Sequence, residues 1–141
     1  MSQDASLELQ IAIVGLLKNN ADLSALVDGR IYDRVPPDAA GKVTAKFPYV
    51  SLGPDQEITD DAECLRASEF ILQIDAWSRE AGFPEVKRIA RAIEDALNDV
   101  ELDLTDNAAI YFHYDGRRIF RDPDGLTSHA ALTFVAGVEK L

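Results

Sequence analysis

Residues 69–77 read Glu-Phe-Ile-Leu-Gln-Ile-Asp-Ala-Trp, and this stretch decides the fold. Apolar residues occupy every second position, which is the period of a β-strand with one face in a core. The face expected to pack inward carries Phe70, Leu72, Ile74 and Ala76. The opposite face is mixed and carries Ile71, Gln73, Asp75 and Trp77. We expect that second face to be partly exposed to solvent or to contact another subunit.

Helical periodicity is clearest in residues 84–98. An apolar stripe with helical spacing is formed by Val86, Ile89, Ala90, Ile93 and Leu97. Pro84 suits the first turn of the helix, where an N–H group is not needed.

A second helix is predicted over residues 7–17, with Ser6 as its cap and Asn19-Asn20 at its end. Its apolar residues cover most of the helix surface, and such a helix is normally buried on more than one side. We expect part of that burial to come from a neighbouring subunit. A short helical turn over residues 22–27, capped by Asp22, follows and stops at Gly29.

Further strands are predicted over residues 30–32, 47–52 and 102–104, and the last third of the chain reads as a β-hairpin. Its first arm alternates through Ile110, Phe112 and Tyr114, and its second arm alternates over residues 130–138. Asp122-Pro123-Asp124-Gly125 is the turn signal. The order of elements predicts one α+β domain over residues 1–141, with a mostly antiparallel sheet and two main helices packed on one face.

Two segments are interpreted as exposed connections. Residues 33–46 contain Pro36-Pro37 and Gly41, and residues 55–63, from Asp55 to Glu63, are acidic. Loops of such length are usually functional or mobile. We expect both segments to be mobile in a free subunit and ordered by neighbours in an assembly.

The composition narrows the class of protein. The chain has 141 residues and a formal net charge of -11, and no apolar run approaches the ~20 residues that a membrane span needs. Its N-terminus shows no secretory signal, and Cys64 is the single cysteine, so we expect a soluble intracellular protein. The acidic balance argues against binding nucleic acid over the whole surface and would suit a surface past which DNA slides.

The sequence contains no catalytic constellation. A phosphate loop, a nucleophile elbow and a zinc-protease helix are all lacking. His113 and His129 lie in the two hairpin arms, where they could approach each other, but we interpret them as surface or hydrogen-bonded histidines. Residues 55–63 lack the ligand pattern of a calcium loop. We therefore expect no enzyme activity, no cofactor and no bound metal.

The candidate functional residues are those suited to contacts between subunits. Arg117, Arg118 and Arg121 form the densest basic cluster, and arginine binds carboxylate and phosphate groups through planar contacts. Because acidic residues outnumber basic ones, we favour carboxylates of an adjacent subunit over DNA; a solvated hairpin end is the alternative. Tryptophan is enriched at interfaces, although Trp77 would serve equally well in a core. The full set of interface candidates is Arg117, Arg118, Arg121, Trp77, Pro36, Pro37 and Tyr32.

Four segments in order resemble the tail terminator proteins, also called tail completion or head-to-tail joining proteins, of long-tailed phages and gene transfer agents. They are LSALVDGRIYDRVPP (residues 23–37), FPYVSLG (47–53), LQIDAWSREAG (72–82) and RDPDGLTSHAALTF (121–134). The helix VKRIARAIEDAL lies where that family carries its second helix.

The resemblance implies a curved sheet flanked by helices, and a ring of usually six subunits in the virion. Such a ring caps the tail tube, stops its polymerisation and offers a surface to the head connector, while DNA passes through its lumen without specific binding. The implied partners are further copies of the chain, the tail tube protein and the head connector or stopper protein. Assembly would take place in the cytoplasm of a bacterial host, and the ring would sit at the head-proximal end of the tail.

Two alternatives stay open at the level of sequence. One is another connector or stopper ring of the virion, since it needs the same kind of assembly surface. The other is a small enzyme or ligand-binding α+β domain, which would need a pocket with convergent polar groups.

Overall fold

The computed structural model of the protein describes residues 3–42, 45–62 and 65–141. Glu63 and Cys64 lie outside these ranges, and so do residues 43 and 44 of the 33–46 segment. In the described residues the elements are α1 (Ala5–Lys18), α2 (Ala21–Val27), β1 (Ile31–Tyr32), β2 (Tyr49–Thr59), β3 (Ala67–Ser78), α3 (Pro84–Leu97), β4 (Asn107–Arg121) and β5 (Ser128–Lys140). None of these helices is both long and apolar enough to cross a membrane.

The strands form one sheet in the order β1-β2-β3-β5-β4. β1 pairs in parallel with β2, and each of the other neighbouring pairs is antiparallel. The predicted α+β fold with a mostly antiparallel sheet is therefore confirmed.

β3 is the centre of the sheet, as its alternation predicts. It pairs along its whole length with β5, from Ala67 opposite Glu139 to Ser78 opposite Ser128. All four of its predicted inward residues are buried and pack in one core with apolar residues of α1 and α3. Phe70 is 1% exposed, and truncating a buried phenylalanine to alanine typically costs about 3–5 kcal/mol.

α3 begins at Pro84 as predicted, whereas α1 and α2 begin one or two residues earlier than the sequence patterns predict. Asp4, and not Ser6, caps α1, because its carboxylate accepts a hydrogen bond from the Leu7 N–H group. Asn20, and not Asp22, caps α2 in the same manner. In both cases another good capping residue stands just upstream of the predicted one.

α1 is apolar on more faces than the chain itself covers. Leu9, Ile13 and Leu17 are buried, whereas Leu7 is 42% and Ile11 is 56% exposed. The part of the surface that we expected a neighbouring subunit to cover is therefore open in the single chain.

A buried carboxylate fixes α1 to the start of β4. Glu8 is 6% exposed and accepts hydrogen bonds from the backbone N–H groups of Thr105 (2.6 Å) and Asp106 (2.9 Å). The side-chain amide of Asn107 donates a third bond, at 2.8 Å. These bonds replace the water that the carboxylate loses on burial.

Residues 55–59 of the predicted acidic connection belong to a strand, and residues 60–62 follow it. β2 continues to Thr59 and pairs with β3 as far as Thr59 opposite Ser68. The sequence hides this strand because both faces of its second half are exposed, so its residues do not alternate between apolar and polar.

Two other strand predictions are also wrong. Residues 102–104 form no strand; Leu102 is buried in the core from an irregular segment. In β4, register shifts between Ala109 and Tyr111 and between Tyr114 and Gly116 interrupt the predicted alternation. Such irregularities place an extra residue in one strand, and Ile110 is consequently 58% exposed, whereas Phe112 is buried.

Candidate assembly surface

A row of aromatic side chains crosses the whole sheet near the ends of β1 and β3. One residue comes from each strand: Tyr32, Tyr49, Trp77, His129 and Phe120. In the register of the sheet Tyr49 lies opposite Trp77, Trp77 opposite His129, and His129 opposite Phe120. The sheet thus aligns rings that are far apart in the sequence, including the predicted interface residues Tyr32 and Trp77.

The rings of the aromatic row pack on one another. The Tyr32 and Tyr49 centroids lie 6.1 Å apart, and so do those of Tyr49 and Trp77. Trp77 stacks on His129 at 3.7 Å, and its indole N–H donates to the Ser51 hydroxyl at 2.9 Å. Aromatic pairs at such distances contribute roughly 0.5–1.5 kcal/mol each beyond area burial, so the row stiffens this end of the sheet.

His129 is held between two carboxylates. Its Nε2 atom lies 2.6 Å from an Asp75 oxygen, and its Nδ1 atom lies 3.4 Å from an Asp122 oxygen. Asp75 also accepts a bond from Gln73, at 2.9 Å. The ring is 9% exposed. Because a carboxylate faces each ring nitrogen and the ring is covered, His129 links β3, β5 and the turn between β4 and β5, and has no nitrogen available to act on a substrate.

The two histidines do not approach each other. His113 lies opposite Val135 on β5, whereas His129 lies opposite Phe120. Six residues along β5 separate these positions, which corresponds to roughly 20 Å. His113 is exposed.

The predicted arginine cluster lies on the second half of β4, where all three side chains are exposed. The Arg118 guanidinium carbon lies 5.0 Å from the centroid of the Phe120 ring, at one end of the aromatic row. Arg121 lies 4.8 Å from the Phe83 ring centroid, beside the start of α3. No ion pair joins any of the three to another described residue, so their charges remain available to a partner.

A groove of about 440 Å³ lies beside the aromatic row, lined in part by Phe47, Tyr49, Trp77 and Arg79. The Arg79 guanidinium carbon lies 4.3 Å from the Phe47 ring centroid. Burial raises the pKa of Tyr49 above its ordinary value although Arg79 acts in the opposite direction.

Pro36 and Pro37 are the candidates that the structure leaves apart from the aromatic row. They follow β1 in an exposed segment. The structure thus brings Tyr32, Trp77 and Arg118 together on one row, whereas Arg117 and Arg121 lie opposite Leu132 and Ser128 of β5, on the side of the sheet that carries the helices.

Sequence reasoning missed the residues that join these candidates. Tyr49, Phe120 and the pairing of Asp75 with His129 become neighbours only through the register of four strands. One feature of the sequence could have indicated the pair of Asp75 and His129, because Asp75 is a carboxylate in the strand that forms the centre of the core.

Both open edges of the sheet carry charge. β4 is a 15-residue edge strand that bears the arginine cluster. At the opposite edge, β1 covers only Val50 and Ser51 of β2. No other strand of the described residues pairs with the outer side of residues 52–59 of β2, and this open edge includes Asp55 and Glu57.

Comparison with known proteins identifies the family. The family model described as tail completion protein gp17 matches residues 11–139 of the chain. The chain belongs to this family.

A solved structure supports the same assignment. A chain in a structure entitled "Virion of native gene transfer agent (GTA) particle" has 28% sequence identity and a TM-score of 0.86 to this tail completion protein. The match covers 98% of this chain and 99% of that one. No curated protein in the comparison matches the chain. The predicted resemblance is confirmed: this is a structural protein of a phage or gene transfer agent tail, located in the virion, with a structural and not an enzymatic role.

Proposed function

We propose that the chain is a tail terminator. Copies of it close into a ring, usually of six, which caps the tail tube, stops its polymerisation and joins the tail to the head connector. The proposal rests on one observation above all, the agreement in fold over nearly the full length of a gene transfer agent virion chain. The partners are further copies of the chain, the tail tube protein and the connector or stopper protein.

The surface of the subunit supports assembly into a ring. Exposed Leu7 and Ile11 on α1 offer apolar area, and the arginine cluster of β4 offers charge without a partner among the described residues. A closed ring needs two different complementary surfaces on each subunit. The formal net charge of -11 suits a lumen through which DNA passes without adhering.

Native mass spectrometry of the purified protein, alone and with tail tube protein, tests the ring. We expect a closed oligomer of six copies. Only monomer in both samples would contradict the proposal. Electron microscopy of particles labelled on this chain would then locate it, and we expect the head-proximal end of the tail, following assembly in the cytoplasm of a bacterial host.

We also propose that the seven predicted interface residues lie at contacts between subunits or rings. The decisive variant replaces Arg117, Arg118 and Arg121 with glutamate. The matched control replaces Lys87, Arg88 and Arg91, three exposed basic residues of α3, and so makes the same change in net charge on another face. Ring formation or docking weakens in the first variant only. Normal assembly with altered DNA passage would instead place the arginines at the lumen.

A second virion ring, a connector or stopper, would use the same surfaces. The location of the chain in the particle separates the two, and a position between the tail tube and the connector would favour the terminator. The matched family is described as a tail completion protein, which favours the terminator.

A further inference from the structure

The two edges of the sheet lie on opposite flanks of the subunit. β4 forms one edge, and no described strand pairs with its outer side. Residues 52–59 of β2, together with β1, form the other edge. Open edges present unpaired N–H and C=O groups and readily accept another strand.

The strand directions fit an antiparallel contact between copies. β2, β3, β5 and β4 are each antiparallel to the next, so β2 and β4 run in opposite directions within one subunit. The rotation that relates neighbours in a ring leaves the direction of strands unchanged when the strands run along the ring axis. The β4 edge of one copy would therefore meet the β2 edge of the next copy in antiparallel orientation.

Apolar side chains at the two edges lie at the same level. Following the register across the sheet, Ile58 of β2 is level with Glu69, Gly137 and Tyr111. Ile58 is 44% exposed at one edge, and Ile110 and Tyr111 are 58% and 40% exposed at the other. All three line one groove on the same face of the subunit. The Tyr111 ring lies over Gly137 of its own sheet, and its hydroxyl donates to Glu69 at 2.7 Å. Ile110 is therefore the apolar side chain that this edge offers, and placing two copies edge to edge without stagger would bring Ile110 and Ile58 into contact.

The charges at the two edges are complementary at the same alignment. Arg117 is level with Leu52 across the sheet, and Asp33, which directly follows β1, is level with Leu52 as well. Acidic residues dominate that flank: Asp28, Asp33, Asp55, Glu57 and Asp60. Of the two arginines there, Arg30 already donates to the backbone carbonyls of Phe47 and Pro48.

We propose that strand pairing between edges closes the ring. Residues 111–114 of β4 in one copy lie antiparallel to residues 55–58 of β2 in the next, Ile110 covers Ile58, and Arg117 lies beside Asp33. Pro54, which has no N–H group, and the irregularities on either side of residues 111–114 limit the pairing to this short stretch. This inference rests on the ring proposed above and specifies its contact.

Disulfide trapping tests the pairing. Gln56 and His113 are exposed and level with each other through Ile71 and Val135. Paired strands hold opposite Cα atoms about 4.5–5.5 Å apart, within reach of a disulfide. Inside one subunit the same two residues are three strand spacings apart, roughly 14 Å. The variant is Gln56→Cys with His113→Cys in a Cys64→Ser background.

Oxidation of this variant should give a ladder of covalent oligomers that ends at the ring size. Each single-cysteine variant should stay monomeric under denaturing conditions, and so should the control pair Gln56→Cys with Arg88→Cys on α3. A ring seen by native mass spectrometry without the ladder would overturn the edge pairing and leave the ring intact. Dimers from His113→Cys alone would show a two-fold contact and overturn it as well. If native mass spectrometry showed only monomers, with or without tail tube protein, both the ring and the edge pairing would be overturned.

Charge reversal provides an independent measurement. Arg117→Glu and Asp33→Arg should each lower the fraction of subunits in rings several-fold, and the double variant should restore most of it. Failure of the double variant to recover, with folding intact, would show that these two side chains do not face each other.

Discussion

Replacement of Glu8 with glutamine should destabilise the subunit strongly, although it changes only one atom. The carboxylate is buried, and three donors from residues 105–107 point at its two oxygens. A glutamine side chain offers one acceptor oxygen and an NH₂ group, so at least one backbone N–H group would face another donor.

The size of the effect follows from the number of bonds. Hydrogen bonds to a charged group contribute roughly 1.5–3 kcal/mol each, and glutamine keeps only part of them. We expect a loss of about 2–4 kcal/mol in the free energy of unfolding. For a chain of this size that corresponds to a Tm lower by about 10 °C.

Urea denaturation monitored by circular dichroism measures this loss. The matched control is Glu101→Gln, the same chemical change at an exposed position that precedes the same segment. The control should stay within about 0.5 kcal/mol of the wild type. If Glu8→Gln unfolds at the same urea concentration as the control, the Glu8 carboxylate does not hold α1 to β4.

The pH dependence of the stability provides a second test of the role of Glu8. Burial on its own would raise the pKa of Glu8, but the hydrogen bonds from residues 105–107 outweigh it and leave the pKa below its ordinary value. A carboxyl group with a lowered folded-state pKa stabilises the fold above its unfolded pKa of about 4.3, and this contribution is lost as the pH falls through the folded value. The stability difference between wild type and Glu8→Gln should therefore shrink in acid and stay constant near neutrality.

Three further outcomes are expected. Gly53→Ala places a Cβ atom 2.6 Å from an Asp75 carboxylate oxygen and should cost about 1–3 kcal/mol in urea denaturation, whereas Gly15→Ala, which has no neighbour within 4 Å, should be neutral or stabilising. His129→Ala leaves two carboxylates without their shared partner and should lower the free energy of unfolding by about 3 kcal/mol or more in urea denaturation. His113→Ala, at an exposed position, should leave that free energy unchanged. Equal losses in the two variants would contradict the role of His129. Hydrogen exchange should show fast amides over residues 33–42 in the free subunit and slower ones in the ring, and strong protection in both states would refute that expectation.

The parts of the fold that could be predicted are the helices and strands that have one buried face and one face exposed to solvent. β3 and α3 each pack one apolar stripe against the core, so the period of the sequence reports the element directly. Both faces of the second half of β2 are exposed to solvent. Its acidic residues are therefore typical of a loop, although the backbone pairs with β3. Periodicity detects burial and not hydrogen bonding, which is why this strand was missed.

The candidate surface was predictable residue by residue but not as an arrangement. Arg118, Tyr32 and Trp77 stand out by residue type alone. Their common row depends on strand register and on the irregularities of β4, which shift it relative to a regular strand. Likewise, no pattern in the sequence around Glu8 indicates its burial, which the return of the chain at residues 105–107 explains.

The stacking of Trp77 on His129 gives the protein an optical signal of its own. Trp77 is the single tryptophan of the chain, and its ring lies 3.7 Å from the imidazole. The contact with the imidazole ring sets the surroundings of the indole, so the emission of the folded subunit reports on this one contact. Any event that separates the two rings, such as unfolding or the insertion of a neighbour's side chain, should change the emission. Excitation at wavelengths that tyrosine does not absorb would follow that event in real time without an attached dye.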